Sequence, residues 1–324
     1  MNRNTSTDTS VRALGLVKTF GDVVALNGLD LVVEGGSVLG LLGPNGAGKT
    51  TAVSILTTLL IPTSGSASVA GFDVTNQAKQ VRQCIGLSGQ YAAVDEHLTA
   101  RENLHMIGRL YGLTRQESQR RSGELLEQFR LDDAADRPLK TYSGGMRRRL
   151  DLAGALIGEP LVLFLDEPTT GLDPRSRTEL WDTIRERVAR GTTVLLTTQY
   201  LEEADQLADD IVVIDHGRAI ARGTAEELKR QVGGEHLDVT VRHNRHLEEA
   251  SKILKESGTG AVRVDEDSGK LSVPVSSGID ALRQVLRELE TLGVEVIDIA
   301  LRRPTLDDVF MKLTGQDGAT ENPA

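Results

Sequence analysis

The octapeptide Gly43-Pro44-Asn45-Gly46-Ala47-Gly48-Lys49-Thr50 constrains this chain more than any other feature. It satisfies G-x-x-x-x-G-K-[ST] at every fixed position, the pattern of a loop whose backbone N–H groups converge on phosphate oxygens. Such a loop needs a strand to deliver it and a helix to follow it, because the helix N-terminus adds a field that favours an anion. The flanking residues supply both. Residues 37–42 read as a strand and residues 49–60 as a helix, and strand, loop, helix in that order opens an α/β unit. In that setting Lys49 reaches the β- and γ-phosphates of a nucleoside triphosphate. The Thr50 hydroxyl, with Thr51 next in the chain, ligates Mg²⁺.

Nucleotide chemistry also needs carboxylates near the metal and the attacking water. The apolar run 161–165 reads as a strand buried on both faces of a parallel sheet. It delivers Asp166 and Glu167 at its carboxyl end, where open α/β sheets bind their ligands. Asp166 is expected to assist Mg²⁺, directly or through water, and Glu167 to polarise the water. Acids before Pro168 can also simply end a strand; the phosphate loop upstream favours the chemical reading.

Around these segments, residues 26–33 read as a strand closed by the Glu34-Gly35-Gly36 turn. Residues 99–129 read as largely helical with one apolar stripe, and residues 145–157 as a second helix. Residues 193–198 and 210–214 read as buried strands separated by an acidic helix at 201–207. Near Lys229 the rhythm changes. Segments 237–242, 247–256, 261–265, 271–275, 279–292 and 294–299 run β-α-β-β-α-β, the order of a small α+β ferredoxin-like domain, with a last helix at 305–313. A length of 324 residues, at about 150 per domain, fits two domains. The expected division is 11–229 and 235–315, with Gly233-Gly234 as a hinge.

A second helix start stands out at Tyr142-Ser143-Gly144-Gly145-Met146. Ser143 is an ordinary N-cap residue, and the glycines behind it also leave helix N–H groups open to an anion. Two such starts with one phosphate-loop lysine suggest a composite site, the second start closing over a nucleotide held by another copy of the chain.

With these motifs in place, the chain resembles the ATP-binding subunits of ABC transporters, and specifically the daunorubicin/doxorubicin-resistance exporter family. Residues 142–146 are similar to the ABC signature, Asp166 and Glu167 to the end of its Walker B strand, and Gly171-Leu172-Asp173 to the D-loop. Gln90 stands at the place of the Q-loop glutamine, and Phe20, before Gly21, resembles the aromatic residue that stacks on adenine. Gln199 stands where most of the superfamily has a switch histidine, and daunorubicin-type subunits resemble this chain in that departure. Glutamine donates and accepts a hydrogen bond but carries no charge, which suits Glu167 as the polarising base. Residues 303–310, Arg303-Pro304-Thr305-Leu306-Asp307-Asp308-Val309-Phe310, are similar to a stretch common in the family's C-terminal domain.

The resemblance implies a phosphate-loop ABC ATPase domain with a helical subdomain, binding ATP and Mg²⁺. It implies catalytic roles for Glu167, Lys49 and Gln199, and metal contacts from Thr50, Gln90 and Asp166. Around the nucleotide it places Phe20, Gly43, Pro44, Asn45, Gly46, Ala47, Gly48, Lys49, Thr50, Thr51, Gln90, Ser143, Gly144, Gly145 and Asp173. It also implies a second copy in a nucleotide-sandwich dimer, a separate multi-span membrane permease, and a peripheral position on the cytoplasmic side of the cell membrane. The function implied is coupling of ATP hydrolysis to efflux of a hydrophobic drug or antibiotic. The alternative is a soluble ABC-type ATPase of translation or DNA repair. Such proteins usually carry two ATPase units or a long coiled-coil insertion, whereas this chain has one phosphate loop and no long heptad run.

Composition narrows the partners. A net charge of −10, with 17 acidic and 11 basic residues from position 231 onward, makes nucleic acid a poor partner. The single cysteine, Cys84, excludes an intrachain disulfide and reads as a buried small hydrophobe. No apolar run approaches the 18 or so residues of a membrane span, and no secretion signal is read at the start. The run Arg147-Arg148-Arg149 reads as a solvated helix face or an intersubunit contact. Plain structural readings also exist for Phe20 as a turn-covering aromatic, Gln90 as a surface amide and Asp173 as a helix cap before Pro174.

Overall fold

The computed structural model describes residues 9–89, 94–232 and 235–313, so Gln90 and the Gly233-Gly234 hinge lie outside the described residues. The chain divides into two units, Met1–Ala225 and Glu226–Ala324.

The first unit opens on an antiparallel hairpin, β1 (Thr9–Phe20) and β2 (Val23–Glu34). β3 (Val38–Leu42) is buried along its whole length and runs into the phosphate loop, after which α1 (Lys49–Leu56) begins. α1 stops at Leu56 rather than Leu60. The Thr57 hydroxyl bonds back to the Val53 carbonyl, and Thr58 takes φ +66°, outside helical space. β4 (Ser64–Val69), β5 (Phe72–Asp73), α2 (Ala78–Cys84) and β6 (Ile85–Ser88) follow.

The long helical stretch is two helices, α3 (Ala100–Leu110) and α4 (Arg115–Gln128). Gly112, at φ +86°, breaks the run, and Thr99 and Thr114 each start a helix with a capping box closed by Glu102 and Glu117. Then come α5 (Gly144–Leu156), β7 (Val162–Asp166), α6 (Pro174–Ala189), β8 (Thr193–Thr198), α7 (Leu201–Leu207), β9 (Asp210–Asp215) and β10 (Arg218–Gly223); α8 (Ala225–Val232) starts at the boundary, and all of it but Ala225 belongs to the second unit.

Two sheets result. β2-β1-β4-β5 is antiparallel; β10-β9-β3-β8-β7-β6 is parallel except for β10, which returns antiparallel beside β9. The parallel strands carry apolar residues at consecutive positions because each face has its own core. On β7, Val162 and Phe164 join the cluster under the antiparallel sheet with Leu29, Leu41 and Ile55, while Leu163 and Leu165 join the cluster of Leu104, Leu125, Leu150 and Trp181 from the helices. β8 lies between β3 and β7, with Leu42 opposite Thr198 and Asp166 opposite Thr197. That register brings the carboxyl ends of β3, β7 and β8, and the loops that leave them, to one edge.

The second unit contains β11 (Glu235–Val241), α9 (Leu247–Ser257), β12 (Arg263–Asp265), β13 (Lys270–Val275), α10 (Gly278–Thr291), β14 (Val296–Arg302) and α11 (Leu306–Leu313). The antiparallel sheet order β12-β13-β11-β14 completes the expected β-α-β-β-α-β arrangement. Leu237, Val239, Leu271 and Val273 pack on Ala250, Leu254, Val285 and Leu289 of the two helices. The alternate residue Asp238 instead pairs with Lys270 at 2.9 Å and Arg302 at 2.7 Å.

Candidate functional site

Sterics dictate the phosphate loop at both ends. At Gly43 a Cβ would lie 2.3 Å from the Ile214 carbonyl oxygen; at Gly48, φ +107°, it would lie 2.5 Å from that of Ala25. Only glycine fits either place. The turn between β9 and β10 props the loop from behind: the Gly217 N–H donates to the Ala47 carbonyl at 2.9 Å, and the Asn27 N–H to the Gly217 carbonyl at 2.9 Å. Gly48 has no side chain to cap α1, so no side-chain cap competes with an anion for the first N–H groups of that helix.

Lys49 leaves the first turn of α1 and is 5% exposed. Its Nζ donates to the carbonyls of Gly43 at 2.8 Å and Pro44 at 3.0 Å, and lies 4.0 Å from Oε1 of Glu167. Burial pulls the ammonium below its ordinary pKa, and the carboxylates of Glu167 and Asp166 pull it back. Asp166, the last residue of β7, is buried and accepts a hydrogen bond from the Thr197 hydroxyl of β8.

Glu167 follows in a left-handed conformation, φ +49°. A non-glycine residue there carries strain that the surroundings must hold. The Thr197 backbone carbonyl accepts from its N–H at 3.0 Å, and the Thr170 hydroxyl donates to its Oε2 at 3.3 Å. The result is a nearly buried carboxylate turned out of the strand direction to face Lys49.

The other expected residues differ in burial. Pro44 and Thr51 are half-buried, Ala47 is buried, and Asn45, Gly46 and Thr50 are exposed on the loop and the first turn of α1. Gln199 is exposed just beyond β8. Phe20 ends β1 and is 47% exposed, with the Lys18 ammonium 5.2 Å from the ring centre, so it is not a core residue.

Ser143 accepts a hydrogen bond from the Met146 N–H and thus caps α5, while it and Gly144 face solvent. Asp173 caps α6 through the Ser176 N–H at 2.9 Å and hydroxyl at 2.7 Å, bonds that lower its carboxyl pKa. A Cβ on Gly145 would stand 3.4 Å from the Ser176 hydroxyl, so the starts of α5 and α6 form one surface.

Several buried charged residues escaped the sequence reading, Arg148 and Glu203 among them. Arg148 is not on a solvated face: it is 9% exposed, while its half-buried neighbours Arg147 and Arg149 donate to Glu96 and to the Phe129 carbonyl. Burial lowers its guanidinium pKa, with Asp151 the chief opposing charge. Asp151, three residues along the same helix, was the available signal. Glu203 on α7 is fully buried and accepts from the Trp181 indole N–H at 3.4 Å; burial raises its carboxyl pKa. Cys84 is half-buried rather than buried.

Comparison with known proteins agrees with this geometry. Residues 26–170 match the ABC transporter family model, and residues 223–314 match that of the ATP-binding protein DrrA1-3-like, C-terminal domain. The chain is 55% identical over 317 residues to the daunorubicin resistance ATP-binding protein DrrA3 of Streptomyces coeruleorubidus, covering 98% of this chain and 99% of that one. It is 49% identical to the daunorubicin/doxorubicin resistance ATP-binding protein DrrA of Streptomyces peucetius, covering 99% of this chain and 98% of the relative. A solved ATP-binding subunit of an ABC transporter superimposes with a TM-score of 0.64 at 30% identity, covering 69% of this chain and 93% of that structure. The chain therefore belongs to the daunorubicin/doxorubicin-resistance family of ABC transporter ATP-binding subunits, the transport-coupled ATPases of that superfamily.

Proposed function

We propose that this subunit powers export of a hydrophobic drug or antibiotic through a separate multi-span permease. The observation that carries the reading is the meeting of Lys49, Asp166 and Glu167 at one edge of the parallel sheet, with Lys49 and Glu167 4.0 Å apart. The drug class rests on relatives named for daunorubicin and doxorubicin resistance. Those names do not favour the alternative role in translation or DNA repair.

ATP enters as its Mg²⁺ complex. The residues fit that substrate: a backbone cradle at Gly43–Thr50 in which Gly43 and Gly48 admit no Cβ, a buried ammonium for the terminal phosphates, and the Thr50 hydroxyl and Asp166 carboxylate for the metal. Gln90, outside the described residues, would be a further ligand by its place in the sequence. Phe20 offers its ring to the adenine. Glu167 orients a water for in-line attack on the γ-phosphorus, yielding ADP and phosphate. Lys49 and the loop N–H groups stabilise the charge that develops, and Gln199 holds the γ-phosphate or the water by a neutral hydrogen bond.

Ser143, Gly144 and Gly145 of a second copy, backed by Asp173, close over the same nucleotide, so that ATP joins two chains and phosphate release parts them. Residues 11–229 form this motor and residues 235–315 an accessory domain. No described helix is long and apolar enough to cross a membrane. The subunit is assigned to the cytoplasmic face of the cell membrane, bound to the permease.

The test is co-expression with candidate membrane proteins and a drug-stimulated ATPase assay on the purified complex. Stimulation that disappears in Lys49→Ala supports the reading. A complex that releases no more phosphate than the Lys49→Ala control overturns it.

A further inference from the structure

Arg148 leaves α5 five residues after Ser143 and points into the protein rather than out of it. Its guanidinium donates to three backbone carbonyls from two strand ends. Nη2 reaches the Asp166 carbonyl at 3.1 Å, Nε the Pro168 carbonyl at 2.8 Å, and Nη1 the Gly89 carbonyl at 2.5 Å. The first two acceptors stand immediately before and after Glu167, the residue held at φ +49°. The third lies just past β6. On the remaining side, Nη1 lies 3.4 Å from Oδ2 of Asp151, which in turn accepts from the Ser88 hydroxyl of β6 at 2.6 Å.

We infer that Arg148 is a positioning residue for hydrolysis: it fixes the strained backbone of Glu167 from both sides and ties it to the helix that begins at Ser143. The inference rests on the reading of Glu167 as the residue that orients the water. A left-handed glutamate relaxes toward the β or α region unless its flanking carbonyls are held. A planar fork with five donors can hold three carbonyls at once, which a single ammonium cannot. Because the fork is rooted in α5, displacement of that helix start by a closing partner acts on the Glu167 turn through one side chain. Nucleotide binding depends on Arg148 less than hydrolysis does, since among the described contacts Arg148 touches neither the phosphate loop nor Lys49 and meets Asp166 only at its backbone carbonyl.

The test uses the full-length chain with MgATP and the variants Arg148→Lys and Ser88→Ala, each alone and with Glu167→Gln. Arg148→Lys is expected to lower kcat about tenfold or more while KM and the affinity for a fluorescent ATP analogue stay within about twofold. In the Glu167→Gln background the same change should lower residual hydrolysis by less than about twofold, because the route through Glu167 is already lost. Ser88→Ala, which loosens Asp151 without removing a charge, should lower kcat by about threefold, and it decides the matter if Arg148→Lys does not fold.

Unchanged kcat in a folded Arg148→Lys overturns the inference, as does an equal loss in both backgrounds, which would mark a merely structural role. With Arg148→Lys unfolded, unchanged kcat in Ser88→Ala overturns it. A wild-type chain that does not hydrolyse ATP overturns the ATPase reading and this one with it; a hydrolysing wild type beside an unaffected variant overturns this one alone.

Discussion

Lys49 Nζ and Glu167 Oε1 stand 4.0 Å apart, and both side chains are almost withdrawn from water. They arrive from different strands: Lys49 from the helix after β3, Glu167 from the end of β7, with β8 between. The pair depends on sheet register as much as on either motif, because Thr197 of β8 holds both Asp166 and Glu167 while Leu42 fixes β8 against β3. A buried ammonium with two nearby carboxylates is costly unless it has a task, and phosphate oxygens are the ligand that its loop is shaped for.

Replacing Lys49 by Ala removes the charge that meets the terminal phosphates. Hydrolysis should fall by about 10²-fold or more, the scale of losing one fixed electrostatic group from a phosphoryl-transfer site. Phosphate release from the purified complex measures it, and a loss below tenfold would contradict the placement.

Glu167→Gln keeps the size of the side chain and one acceptor oxygen but cannot take the water's proton. We expect turnover to drop by about 10³-fold while ATP stays bound and two chains remain joined. Size-exclusion chromatography with MgATP reads the outcome directly. A folded, nucleotide-loaded variant eluting as a monomer would speak against the shared site.

Gly217 supports the phosphate loop at φ +74°, and a Cβ there would come within 2.7 Å of the Ala25 carbonyl oxygen and Leu26 Cα. Gly217→Ala should therefore cost about 2 kcal/mol or more of stability and weaken ATP binding through Ala47. Urea melts and nucleotide titration test the two effects together; a variant as stable as wild type would show that the turn adapts freely.

The parts of this site that could be read in the sequence are those whose chemistry is local. Gly43 to Thr50 must satisfy one loop, and the strand ending at Asp166 is apolar at consecutive positions because Phe164 and Leu165 enter different cores. β1 and β4 were not legible in the same way. Ser64-Gly65-Ser66-Ala67-Ser68 carries little strand signal, and it is held by pairing to β1 across many residues of chain. Arg148 was misread for a related reason: its acceptors come from Gly89, Asp166 and Pro168, which no local pattern links to an arginine run. Gly112 was a visible break that the surrounding helical text masked.

Glu203 offers a test through pH. Burial raises its carboxyl above the ordinary glutamate range, against the hydrogen bond from the Trp181 indole and the charge of Arg177. A carboxyl with a raised folded-state pKa favours the fold while protonated, and that contribution is lost as pH climbs from the ordinary carboxylate range through the raised value. Glu203→Gln has no proton to lose. Its melting temperature relative to wild type should thus increase from about pH 5 to about pH 8. A difference that is flat or falls over that range would show that the carboxylate is stabilised in place.

The central claim, one MgATP enclosed by the phosphate loop of one chain and the Ser143 helix start of another, is tested most directly by cross-linking. Asn45→Cys and Ser143→Cys would be placed on separate chains lacking Cys84 and carrying Glu167→Gln, then mixed under mild oxidation. The account predicts a covalent heterodimer that forms with MgATP and not with ADP. ATP-loaded chains that stay unlinked, or that link equally well without nucleotide, would contradict it.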